Sequence, residues 1–87
     1  MEFEWDEAKD AANLAKHGVS LGAAVRLDWE RGAEKVDGRN DYGEIRVIRY
    51  AALDGRMHVC AYTLRNNIRR IISLRKANER EKMKHGT

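Results

Sequence analysis

The sequence predicts an α+β domain: a small antiparallel β-sheet with two N-terminal helices packed on one face and a short C-terminal helix. Three observations carry this. Asp54-Gly55 lies between two runs of alternating apolar and polar residues, the pattern of a tight β-hairpin. Ala8, Ala11, Ala12 and Ala15 recur at the spacing of one helix face. In the segment from Lys76 to about His85 only Ala77 and Met83 are apolar, which suits a short, highly charged surface helix.

Taken in order, Phe3 and Trp5 alternate with Glu2, Glu4 and Asp6 and predict a short strand. Asp6 is placed to cap a helix with its alanine stripe inward, and Gly18 to end it in the left-handed region. Ser20 opens a second helix with Leu21, Ala24 and Val25 inward, fading between Asp28 and Gly32. Ala33 to Val36 is a weak strand, followed by a polar turn over Asp37–Asp41. Strands follow at Ile45–Leu53, Met57–Leu64 and Ile68–Leu74, the last two joined at Asn66-Asn67. Alternation assigns Ile45, Val47, Met57, Val59 and Ala61 to the buried face, and Arg46, Tyr50, His58 and Tyr62 to the opposite one. The last strand fits either register, so the spacing leaves open whether Arg69 or Arg70 joins that second face.

The 87 residues, 43% hydrophobic and 36% charged, suit one folded domain over residues 1–87. A domain of this size buries only about 60–65% of its unfolded surface, so a bound partner would add useful stability. The single cysteine, Cys60, stands in an apolar run and predicts a buried free thiol in a reducing compartment. The chain has no run of about 18 apolar residues, and its acidic first residues are unlike a signal peptide, so the expectation is a cytoplasmic protein.

Charge is divided unevenly along the chain. Residues 1–44 carry six Lys/Arg and eleven Asp/Glu, a net of −5; residues 45–87 carry eleven and three, a net of +8. The basic half includes Arg69-Arg70-Ile71-Ile72-Ser73-Leu74-Arg75-Lys76, and such a local potential attracts polyanions whatever the overall balance. Cleaving RNA without a metal needs a proton acceptor for the 2′-OH, a donor for the leaving 5′ oxygen, and cations against the transition-state charge. Arg46, Arg65, Arg69, Arg70 and Arg75 offer guanidinium forks that match phosphate oxygens.

The proton-transfer candidates are fewer. Lys16 and His17 share a polar face of the first helix with Asn13; His17 either moves protons or bonds the last helix carbonyls. Glu44 either acts as a base or pairs with Arg46 or Lys16. Tyr50 and Tyr62 either stack on bases or pack in the sheet. His58, in mid-strand, reads as structural. One Cys and three scattered His do not form the pattern of a zinc site, and no Gly-rich phosphate loop is present.

Phe3-Glu4-Trp5-Asp6 with Lys9, Ala12-Asn13-Leu14 and Lys16-His17-Gly18-Val19 resembles the opening of BrnT toxins, the DUF497 family. Asp41-Tyr42-Gly43-Glu44 with Arg46 is similar to that family's central segment. Tyr62-Thr63 with Arg65, then Arg70-Ile71-Ile72-Ser73 with Arg75-Lys76-Ala77 and Glu79-Arg80-Glu81, is similar to its C-terminal signature. The resemblance spans nearly the whole chain. It implies a type II toxin with a RelE-like ribonuclease fold that cuts RNA and stops translation without a cofactor. The implied partner is a BrnA-type antitoxin with a ribbon-helix-helix domain, through which the complex binds operator DNA. The resemblance singles out Lys16, His17, Glu44, Arg46, Thr63, Arg65, Arg70, Arg75 and Glu81. In this expectation Lys16, His17, Glu44, Arg46 and Arg75 are catalytic, while Tyr62, Thr63, Arg65, Arg69, Arg70 and Glu81 contact RNA. Where family members often carry Asp-Pro after the second helix, this chain has Leu27-Asp28-Trp29-Glu30-Arg31, which allows that helix to run longer. The alternative reading is a non-catalytic basic module that binds an acidic antitoxin or a nucleic acid.

Overall fold

The computed structural model describes residues 1–38 and 44–85; the anticipated turn at residues 39–41 and the Asp41-Tyr42-Gly43 segment lie outside them. Strand β1 (Glu2–Trp5) leads into helix α1 (Glu7–His17) and a 3-10 helix (Leu21–Arg26). Strands β2 (Ala33–Asp37), β3 (Arg46–Leu53), β4 (Arg56–Arg65) and β5 (Ile68–Lys76) follow, and helix α2 (Glu79–His85) comes last. The local signals act as their chemistry dictates. Asp6 accepts from the N–H groups of Ala8 and Lys9 at 2.8 and 3.1 Å and so satisfies two free donors of the first turn. Gly18, at φ 73°, sends its N–H to Leu14 O at 2.9 Å and closes the helix. Asp54-Gly55 and Asn66-Asn67 both take positive φ at their two central residues, which matches the twist of the hairpins they join.

The sheet is mixed, not antiparallel. Its order is β1-β5-β4-β3-β2, and β1 runs parallel to β5, with Glu4 opposite Arg70. The crossover has a physical reason: α1 and the 3-10 helix carry the chain across one face, from one edge of the sheet to the other. Alternation in Phe3 and Trp5 specifies which side chains face the core, but not the direction of the neighbouring strand.

The N-terminal part holds one α-helix, not two. The expected second helix is a six-residue 3-10 turn that ends when Leu27 turns extended, its N–H bonding Ala24 O. Ser20 makes no side-chain cap, and Gly22 lies so close to Trp5 that a Cβ there would meet the indole at 3.2 Å. The segment is thus held by contact with the sheet and not by helical propensity.

Helix α1 also docks differently from its alanine pattern. Ala8, Ala11, Ala12 and Ala15 are exposed, while Asn13 is buried. The Asn13 amide donates to Val19 O and Leu74 O, both at 2.8 Å, and accepts from Leu74 N–H at 3.2 Å. Asp10 accepts from Leu21 N–H at 2.7 Å. Polar ties from the i, i+3 positions, not an apolar stripe, anchor this helix.

Two register effects decide which residues share a face. The two-residue turn pairs Leu53 with Arg56, so even-numbered β3 residues lie beside odd-numbered β4 residues. Arg46 therefore pairs with Thr63 and Tyr50 with Val59, whereas Tyr62 and His58 stand on the other face with Val47 and Ala51. On β5, a bulge lies between the Tyr62–Ile71 and Ala61–Ser73 pairs, leaving Ile72 as the extra residue. Ile71 and Leu74 both reach the core as a result, and Arg70 and Arg75, of opposite parity, emerge on one face. The core lies between that covered face and the two helices, around Leu21, Leu27, Cys60, Tyr62, Ile71 and Leu74.

Candidate RNA-binding face

The face of the sheet turned away from α1 carries a row of charges built by strand pairing. From β2 to β1 the row reads Asp37, Arg46, Thr63, Arg70 and Glu4. Thr63 holds its centre, 3% exposed, its hydroxyl donating to Ile45 O at 2.7 Å. Arg70 Nη1 meets the Glu4 carboxylate at 2.7 Å. Arg65, one step along, forms a two-pronged contact with Glu44 at 2.6 and 2.7 Å. That hydrogen bond holds the Glu44 carboxyl below the usual carboxylate range, helped by the charges of Arg65, Arg70 and Arg46.

Further along the face, Arg75 reaches Glu81 of α2 with both Nη atoms, each at 2.8 Å. Glu81 also accepts from Asn78 N–H at 2.9 Å, and Glu81 N–H donates to Asn78 Oδ1 at 2.8 Å, a reciprocal helix cap. Arg75 and the cap hold the Glu81 carboxyl at about 2. Between these groups lies a cavity of about 510 Å³. Ile48, Val59 and Ala61 form its apolar floor, and Lys35, Arg46, Ser73, Arg75 and Glu81 its polar rim. An apolar floor with cationic edges suits a nucleotide: the base covers the floor and phosphate oxygens reach the guanidinium groups.

The other face also holds arginines, in a different state. Arg49 donates to the carbonyls of Asp28 and Arg31 and pairs with Glu34 at 2.9 Å, its side chain 8% exposed. The guanidinium carbon of Arg69 lies 3.9 Å from the centre of the Trp29 ring. Tyr62 donates its hydroxyl to Glu34 at 2.6 Å and meets Trp29 edge-on at 5.3 Å. Burial and the Glu34 charge push the Tyr62 hydroxyl up to about 12.

The expected site residues are therefore divided by the sheet. Glu44, Arg46, Thr63, Arg65, Arg70, Arg75 and Glu81 come together on the open face. Tyr62 and Arg69 lie in the covered face. Lys16, exposed, and His17, half-buried, end the helix that packs on that covered face, across the sheet from Arg46 and Arg75. His58 is buried there too, its Nδ1 2.8 Å from Arg56 O. Residues missed by sequence reasoning are Glu4, Ser73 and the α2 residue His85, which stacks on Tyr50 at 3.7 Å. The strand pattern alone gave no partner for Glu4, and the bulge that turns Ser73 toward the cavity has no signature in it.

Residues 5–81 match the family described as the ribonuclease toxin BrnT of type II toxin–antitoxin systems. The chain belongs to the BrnT toxin family. That membership makes it a ribonuclease toxin whose counterpart is an antitoxin, in keeping with the BrnT-like sequence motifs. No curated protein matches the chain. Among the described residues, no helix is long and apolar enough to cross a membrane.

Proposed function

We propose that the open face is the cleavage surface of a metal-independent endoribonuclease that inhibits translation in the cytoplasm. The observation that carries the reading is the convergence of Arg46 and Arg75 on one cavity with an apolar floor. The scissile phosphate sits between those two arginines, and Arg65 and Arg70 take neighbouring phosphates. The 2′-OH attacks phosphorus, the bond to the 5′ oxygen breaks, and a cyclic phosphate forms while the arginines offset the growing charge.

Glu44 and Glu81 already present both carboxylate oxygens to Arg65 and Arg75, and Glu4 presents one to Arg70. RNA entering the face exchanges phosphate oxygens for these carboxylates. An acidic segment of a BrnA-type ribbon-helix-helix antitoxin can make the same exchange, which supports inhibition by covering this face. Operator DNA is then bound by the antitoxin and not by the toxin's arginines.

Purified protein incubated with single-stranded RNA in EDTA tests the reading. Cleavage with cyclic phosphate ends supports it; intact RNA at high enzyme excess, with normal growth on expression, contradicts it.

A further inference from the structure

We propose that His85 is the residue that takes the 2′-OH proton on the open face, an inference that rests on the reading of that face as an RNA-cleaving surface. The chemistry needs a group that exchanges a proton near neutral pH, and imidazole is the side chain suited to it. Of the chain's three histidines, His17 and His58 stand on the covered side of the sheet. His85 is the one on the open side: its ring lies 3.7 Å from the ring of Tyr50, tilted by only 14°. Tyr50 also lines the cavity that holds Arg46 and Arg75.

Stacking engages the faces of the imidazole and leaves both ring nitrogens at its edge, where they can meet a substrate. Among the described residues, the groups near it include Tyr50 beneath it, the Lys35 ammonium 5.7 Å from that same tyrosine ring, and Glu81 one turn earlier in α2. Lys84 adjoins it in the chain. Glu81 is committed to Arg75, and its carboxyl is held at about 2, which makes it a poor proton acceptor at neutral pH. Glu44, bonded to Arg65, is also held below its ordinary value. Glu44 and Glu81 therefore steady Arg65 and Arg75, which favours the imidazole over them for the proton step.

In that step neutral His85 takes the proton from the 2′-OH as the new oxygen–phosphorus bond forms. The bond from phosphorus to the 5′ oxygen breaks, and solvent supplies the proton the leaving oxygen needs. The imidazolium then returns its proton to water, so protons balance and no oxidant or reductant is required. Docking of α2 and proton transfer can be separated, because a phenyl ring stacks on Tyr50 as imidazole does but carries no exchangeable proton.

The experiment compares the full-length wild type with His85→Phe and His85→Ala, using single-stranded RNA in EDTA and single-turnover cleavage across pH 5 to 8. Amide spectra report whether α2 stays docked, and a cleavage-resistant 2′-O-methyl RNA reports binding. His85→Phe is expected to keep α2 docked and RNA bound while cleavage falls by about 10²–10⁴-fold. The wild-type rate should rise between pH 5 and 8, and that rise should vanish in both variants. Cleavage by His85→Phe within about threefold of wild type, well inside the range for a lost proton-transfer group, overturns the inference. So does a wild-type rate that falls as pH rises. Failure of the wild type itself to cleave RNA would instead remove the proposed function. Loss of cleavage in Arg46→Glu with Arg75→Glu, alongside a fully active His85→Phe, would keep that function and discard His85.

Discussion

The two faces of this sheet use the same side chain for opposite ends. On the covered face, Arg49 and Arg69 spend their guanidinium groups on backbone carbonyls, Glu34 and the Trp29 ring. Arg69 Nε is buried there without a hydrogen-bond partner among the described residues. On the open face, Arg65, Arg70 and Arg75 meet carboxylates that are partly exposed and replaceable by other anions. The basic composition of the C-terminal half is thus two populations. One braces the fold, and the other lies on the open face beside partly exposed carboxylates. Burial and the nature of the partner separate them, and the arginine count does not.

Five variants sharpen or break that contrast. Arg46→Glu with Arg75→Glu should cut RNA cleavage by at least about 10³-fold, since each reversed charge repels the phosphate it is meant to hold. Circular dichroism should still show a folded sheet, and a double variant that stays toxic would misplace the site. Arg49→Ala should cost about 2 kcal/mol in denaturant titration, because it removes a buried guanidinium that bonds the part-buried carbonyls of Asp28 and Arg31 and the Glu34 carboxylate. Arg65→Ala, removing a pair that is 48% and 33% exposed, should cost much less than Arg49→Ala in the same titration. Equal losses from the two would erase the distinction between the faces.

Asn13→Ala should cost about 2 kcal/mol, as it leaves both polar groups of the Leu74 backbone unpaired. Loss of amide-exchange protection at Leu74 would locate the damage. The smallest effect concerns acid. The Glu81 carboxyl sits at about 2 in the folded protein, below its unfolded value of about 4.3. Its contribution is present above the unfolded value and fades as pH falls from about 4.3 toward 2. Glu81→Gln should remove that part of the acid dependence of α2 docking, read from α2 amide signals. An unchanged acid profile would show that α2 is held by something else.

Much of the fold was legible in short-range chemistry. Asp6, Gly18, Asp54-Gly55 and Asn66-Asn67 each act where their side chains and backbone preferences place them. Strands β2 to β5 follow their alternation to within two residues at each end. What escaped was long-range. Nothing in Phe3-Glu4-Trp5 specifies a parallel neighbour, so the mixed sheet was invisible. The alanine stripe of α1 pointed the wrong way because Asp10 and Asn13 find backbone partners that no helical pattern reveals. Joining Tyr62 to Arg46 overlooked the parity that the Asp54-Gly55 turn imposes. For the site, the arginines and glutamates were readable as types. Their division into two faces needed the turn parity and the β5 bulge, and His85 needed the docking of a helix with no buried residue of its own.

The most direct test of that division is amide and arginine side-chain NMR of the full chain, titrated with a short 2′-O-methyl RNA that binds without being cut. The guanidinium signals of Arg46, Arg65, Arg70 and Arg75 should shift together, while those of Arg49 and Arg69 stay in place. Shifts gathered instead at Lys16, His17 and Arg69, with Arg46 and Arg75 unmoved, would place the RNA on the other side of the sheet and contradict the account.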